Sequence, residues 1–171
     1  METIDSDKHW YVVLTRTNSE RKVRDYFQLQ EVDTFLPVQN RVIEREGKRI
    51  ERERLLLPRM VFVHISRQEM AAVRSTLNVY DFLRDRSTGA PTCIPDAQMA
   101  DFRYMLDYSQ DQVILTGESI PKGTRVVVAK GDLQGLRGEL VRYNNNHILV
   151  RIDMFGSAMV TIPASYVRKE K

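Results

Sequence analysis

Residues 55–65 read LLLPRMVFVHI. In an extended chain Met60 and Phe62 point one way while Val61, Val63 and Ile65 point the other, and both sets are apolar. A strand with one wet face would carry polar residues at alternate positions, so this run predicts an interior strand covered on both sides. Pro58 has no N–H for a ladder bond and belongs at the strand's entrance or on an unpaired edge. Leu55, Leu56 and Leu57 then fall outside the regular ladder, either as core or as an exposed contact patch. The usual burial of leucine favours core.

Just upstream, residues 40–54 (NRVIEREGKRIERER) set six Lys/Arg against four Asp/Glu around Gly47-Lys48, with only Val42, Ile43 and Ile50 apolar. This pattern predicts a hairpin whose tip projects into solvent. Its charges would discourage edge-to-edge pairing, or would form an arm that touches a large charged partner. Earlier still, residues 10–16 (WYVVLTR) are a β-branched and aromatic run that predicts a first strand. Thr17 and Glu20 have capping-box spacing, and the helix they predict runs to about residue 30 with Val23, Tyr26 and Phe27 on one face. Residues 34–39 complete a β-α-β unit.

Downstream, Ser66 and Glu69 repeat the capping box ahead of a second helix carrying Met70, Val73 and Leu77. A short strand at 79–83 and a turn at 87–91 follow. Pro95 and Asp96 open a third helix with Met99, Phe102 and Leu106 on one face. Residues 110–123 have no clear period and two breakers, Pro121 and Gly123, and read as a linker. Beyond it the texture changes to short strands at 124–129, 139–143, 147–155 and 159–162. Gly131, Gly135 and Gly138 space the first loop, Asn144-Asn145-Asn146 makes a turn, and Pro163 closes the last of these strands. Short strands with glycine corners predict a small β-barrel.

The chain has 171 residues and a net charge of +3, and 42% of its residues are hydrophobic, enough for a core of one ordinary domain or two small ones. Acidic and basic residues balance over 1–110, so the whole excess lies in 111–171. That weak basicity permits nucleic-acid contact without requiring it. The single cysteine, Cys93, excludes an internal disulfide and fits a reducing compartment. The N-terminus METIDSDKHW has no apolar signal core, and no window nears the ~18 apolar residues of a membrane span, so a cytoplasmic protein is expected.

No constellation for catalysis stands out. His9, His64 and His147 are far apart, with no neighbours at metal-ligand spacing. His64 alternates with core residues and is expected to be half-buried and hydrogen-bonded. There is no nucleophile elbow, and the 131–138 loop precedes a strand rather than the helix N-terminus that phosphate loops use. Neither an enzyme nor a cofactor is expected.

Three stretches together resemble the NusG/RfaH family of transcription elongation factors: WYVVLTRTNSERKV at 10–23, LLLPRMVFV at 55–63, and KGDLQGLRGELV at 130–141. The first two are similar to the family's N-terminal (NGN) domain, and the third to a KOW motif, supported by RIDMFGSAMVTIP at 151–163. The resemblance implies an α+β chain. A tail (1–8) precedes an antiparallel sheet flanked by helices (9–110), then a linker (111–121) and an SH3-like KOW barrel (122–171). It implies a monomer that suppresses pausing by docking on the clamp helices of the RNA polymerase largest subunit through Leu14, Leu56, Leu57, Met60, Tyr80 and Phe82. Arg16 and Lys22 would face nontemplate DNA. The KOW domain, with Gly131, Gly135 and Gly138 in its motif, would contact a small-subunit ribosomal protein through Met154 and Phe155, or termination factor Rho.

Departures from the pattern are specific. Arg59 stands where Gly or Asn is common, Met60 replaces a Tyr, and Leu133 replaces an aromatic residue. The Thr-rich element of RfaH aligns with Glu69, Met70 and Ala71. These changes resemble a specialised paralogue, of the type of the UpxY-like antiterminators of capsular-polysaccharide loci. RfaH can refold its KOW domain as a helical hairpin; here the β-branched residues of 124–162 and the corner glycines favour strands. The alternative reading is a KOW-bearing RNA- or ribosome-binding protein.

Overall fold

The computed structural model describes residues 7–109, 113–116, 123–142, 147–153 and 157–170. The tail through Ser6, much of the expected linker, the Asn144–Asn146 turn, and Met154, Phe155 and Gly156 lie outside the described residues. In chain order the first elements are β1 (His9–Thr15), α1 (Glu20–Leu29), β2 (Asp33–Phe35), β3 (Val38–Arg45), β4 (Lys48–Leu55), β5 (Met60–Ile65), α2 (Met70–Arg74), β6 (Val79–Phe82) and α3 (Asp96–Tyr108). Then come β7 (Ile114–Thr116), β8 (Arg125–Val128), β9 (Arg137–Arg142), β10 (His147–Asp153), β11 (Ser157–Pro163) and β12 (Val167–Lys169). These make two compact units, residues 1–37 with 57–96, and residues 38–56 with 97–171.

The first unit is built on a four-stranded antiparallel sheet in the order β2-β5-β1-β6. β5 is interior, and Val61, Phe62, Val63 and Ile65 have no exposed surface, as the doubly apolar run predicts. Register puts Trp10, Val12 and Leu14 opposite His64, Phe62 and Met60 on one face, with Tyr11 and Val13 opposite Val63 and Val61 on the other. His64 is half-buried, its ring 4.9 Å from that of Trp10 and its Nδ1 3.8 Å from Asp33. α1 packs against β2 and β5 and buries Val23 and Phe27, whereas Tyr26 is half exposed.

Two helix expectations need correction. Thr17 and Glu20 form no capping box. Asn18 takes φ +60° and the Ser19 N–H donates to the Arg16 carbonyl, so the helix starts only at Glu20. At the second site the predicted pairing is present, with the Ser66 N–H donating to Glu69 at 2.8 Å. The helix it opens is short, however. A 3₁₀ turn (Arg67–Glu69) leads into α2, which stops at Arg74 and leaves Leu77 83% exposed. The stop comes before Asn78, whose φ of +70° is incompatible with continuing a right-handed helix.

In the second unit β3 and β4 form a two-stranded sheet of their own, turned at Glu46-Gly47 with both φ angles positive, as a tight hairpin requires. α3 buries Met99, Phe102, Met105 and Leu106. Six strands follow in the order β12-β8-β9-β10-β11-β7, around buried Val126, Val128, Leu133, Leu136, Val160 and Ile162. Part of the stretch read as linker is therefore a strand, because Ile114–Thr116 pairs with β11. The described part of 124–162 is strands joined by turns, in line with its β-branched content. Among the described residues no helix is long and apolar enough to cross a membrane.

Candidate functional site

Leu14 and Met60 face each other at one end of the β1–β5 ladder, both half-buried. Across the sheet Leu14 also opposes Asp81 of β6, and the register then slips so that Thr15 opposes Val79. Tyr80 is the extra residue of that bulge and stands 73% exposed. Bulges re-aim a side chain in this way at the edges of sheets. Phe82 does not join them. It opposes Val13 on the other face, packs edge-on against Tyr11 at 6.1 Å and is 3% exposed, so it belongs to the core. The cause is alternation, since Asp81 and Phe82 cannot share a face.

The segment leading into β5 is irregular. Leu56 and Leu57 are half-buried, Pro58 is exposed, and regular pairing begins at Met60. Arg59 takes φ +67°, a region that costs a residue with a Cβ roughly 1–2 kcal/mol. Three hydrogen bonds hold it there: its N–H donates to Glu20 Oε1 at 2.8 Å, its Nε donates to the Thr15 carbonyl at 3.3 Å, and its carbonyl accepts the Thr15 N–H at 2.9 Å. Glu20 is 4% exposed, and its spacing from Thr17 predicts a local cap instead. Its partner lies 39 residues away, beyond any local motif. The departure at Arg59 thus falls on a position whose backbone suits glycine or asparagine. We expect Arg59→Gly to keep the backbone bonds and raise stability by about 1 kcal/mol, shifting the melting temperature up by ~2–4 °C. A lower melting temperature would show that the Arg59 side chain outweighs the strain.

Charge around the patch is fixed by pairing. The Arg84 side chain, hydrogen-bonded at 3.2 Å, holds the Asp81 carboxyl below its usual range, helped by the Phe82 N–H and Arg74 against partial burial. Arg16 and Lys22 are exposed. Cys93 is an unsuitable nucleophile, because burial and then Asp96 push its thiol up. No group of His, Cys, Asp and Glu among the described residues is arranged to hold a metal ion.

In the second unit Gly131 and Gly135 take φ +90° and +92°, and a Cβ on Gly131 would lie 2.8 Å from the Tyr166 ring. Gly138 is buried in β9 opposite Val126. The Tyr104 hydroxyl donates to the Gln134 carbonyl at 2.6 Å, tying α3 to this glycine loop. Beside it, a cleft of about 380 Å³ is lined by Lys130, Leu133, Ile162 and Tyr166, among others.

The model of the family described as transcription termination factor nusG matches residues 8–103. The chain belongs to the NusG family. Two curated relatives, the transcription termination/antitermination proteins NusG of Streptococcus pyogenes serotypes M3 and M1, are each 27% identical to it over 167 residues. Those alignments cover 90% of this chain and 91% of each relative. A structure of Thermotoga maritima NusG, described as a domain interaction, covers 96% of this chain and 98% of its own at a TM-score of 0.54. At 20% identity it shows a shared fold. The NusG match takes in two of the three stretches that carried the resemblance, those at 10–23 and 55–63, and the β5 strand with its irregular entrance lies inside it.

Proposed function

We propose that this NusG-family chain is a transcription elongation and antitermination factor that binds the clamp helices of the RNA polymerase largest subunit and suppresses pausing. The observation that carries the reading is the half-exposed apolar pair Leu14 and Met60 at one end of the sheet, with the bulge-exposed Tyr80 on β6 and Leu57 at the entrance to β5. A contiguous apolar patch on a folded domain is what a protein partner covers. The names of the Streptococcus relatives support the same process. Arg16 and Lys22 are the candidates for contact with nontemplate DNA.

The domain plan belongs to the same proposal. An NGN domain over 9–110, its sheet flanked by helices, connects through 111–121, a stretch that includes β7, to a KOW barrel over 122–171, which contacts Rho or, through Met154 and Phe155, a small-subunit ribosomal protein. The departures at Arg59, Met60 and Leu133 support an operon-specific paralogue, and a cytoplasmic monomer belongs to the same proposal. The test is single-round transcription by purified core polymerase on a template with a strong pause. Adding the full chain should shorten the pause several-fold. An unchanged pause half-life, together with no binding to the polymerase, would overturn the proposal.

A further inference from the structure

The face on which each residue of the β3–β4 ribbon lies follows from its register. Gln39↔Arg54, Arg41↔Arg52, Ile43↔Ile50 and Arg45↔Lys48 occupy one set of positions; Val38↔Leu55, Asn40↔Glu53, Val42↔Glu51 and Glu44↔Arg49 occupy the other. The first set holds five Lys/Arg and no acid, the second three Glu and a single Arg. A segment that looks mixed in sequence is therefore sorted by sign once folded. At the ribbon's base the first face is engaged, with Arg54 donating to the Val113 carbonyl at 3.0 Å and Gln39 accepting the Val113 N–H at 2.9 Å. Farther out Arg45, Lys48 and Arg52 are exposed, and they form no ion pair among the described residues.

This sorting opposes stability. Arg45↔Lys48 sets like charges directly across from each other, which weakens a strand pair. A ribbon charged only to stay soluble would alternate signs across the strands and avoid that cost.

We propose that the cationic face of the β3–β4 ribbon binds the phosphate backbone of double-stranded DNA. The ribbon is a separate two-stranded sheet, and the major groove of B-form DNA admits such a ribbon. The Arg45/Lys48 pair and Arg52 are four residues apart along the strands, about 14 Å at ~3.4 Å per residue, comparable with a groove ~12 Å wide. Neither strand nor the turn contains an aromatic residue, so the stacking platforms that hold unpaired bases are missing. The deep, narrow major groove of A-form RNA would not accept the ribbon. Glu44, Glu51 and Glu53 on the reverse face repel the backbone and leave one face to dock. The contact is distinct from Arg16 and Lys22, which belong to the other compact unit.

The experiment is fluorescence anisotropy of the full chain with a non-specific duplex DNA of about two helical turns, titrated across salt. Arg45→Gln/Lys48→Gln/Arg52→Gln should weaken binding at least about tenfold at ~50 mM salt and flatten the log–log salt slope by roughly 2–3. Glu44→Gln/Glu51→Gln on the reverse face should bind as tightly as the parent or more so. If the triple variant melts early, the three single variants are read instead, each expected to lower the slope by ~0.9. Parent-like affinity and slope in the cationic-face variants would overturn the proposal. So would tighter binding of duplex RNA or of single-stranded DNA than of duplex DNA.

Discussion

Leu57→Asp is expected to weaken binding to RNA polymerase at least about tenfold, a loss of ~1.4 kcal/mol or more. Leu57 follows the last residue of β4 by two positions and precedes Pro58, in a segment that pairs with neither neighbour strand. Its side chain is half-buried, so part of its apolar surface is spent in the fold and part is left for a partner. Fully burying a leucine is worth ~1.5–3 kcal/mol, and half of that already approaches one decade of affinity. An aspartate would also have to be desolvated on docking, which adds to the loss. The same half-burial predicts a modest fall in melting temperature, about 2–8 °C for ~1–2 kcal/mol. Leu57→Ala, which removes the apolar surface without adding charge, should give a smaller affinity loss with a similar melting temperature. Normal polymerase binding by a folded Leu57→Asp protein would remove Leu57 from the docking surface. Outright unfolding would make it a core residue, since an unpaired buried charge is strongly destabilising.

The parts legible in the sequence are those set by local period. The doubly apolar run at 60–65 marked an interior strand, and the charged run around Gly47-Lys48 marked a hairpin; its turn falls one residue earlier, at Glu46-Gly47, and the charge sorting follows from the register that this turn sets. The glycine spacing around Gly131 and Gly135 marked a loop, in which both residues take positive φ. What the sequence hid depends on distant partners or on very short elements. Ile114–Thr116 is too brief to show alternation, and becomes a strand only because β11 offers an edge. Phe82 was assigned to the docking patch with its neighbour Tyr80, but the bulge that exposes Tyr80 leaves Phe82 facing Tyr11. Leu77 matched a helical face on a helix that ends before reaching it. At Thr17 and Glu20 the right residues stand at capping-box spacing, yet the carboxylate accepts the Arg59 N–H, 39 residues away.

That carboxylate carries the second large effect. Glu20→Ala should destabilise the protein by about 2–3 kcal/mol, because a hydrogen bond to a charged acceptor contributes ~1.5–3 kcal/mol and an acid in the first turn of a helix adds ~0.3–1. Glu20 is 4% exposed and accepts the Arg59 N–H, so its loss leaves the strained αL backbone at Arg59 with its Thr15 bonds alone. In a chain of this size the melting temperature should fall by roughly 5–10 °C. Glu20→Gln keeps an oxygen acceptor of similar reach and should recover a good part of that loss. Because the donor is a backbone N–H, the cost of Glu20→Ala should be nearly the same in an Arg59→Gly background. A cost that vanished there would mean that the carboxylate acts on the Arg59 side chain instead. Polymerase affinity should fall as well, though less than for Leu57→Asp, since the turn that presents Leu57 loses an anchor but keeps its apolar surface. An unchanged melting temperature for Glu20→Ala would show that the Glu20–Arg59 bond does not support the fold.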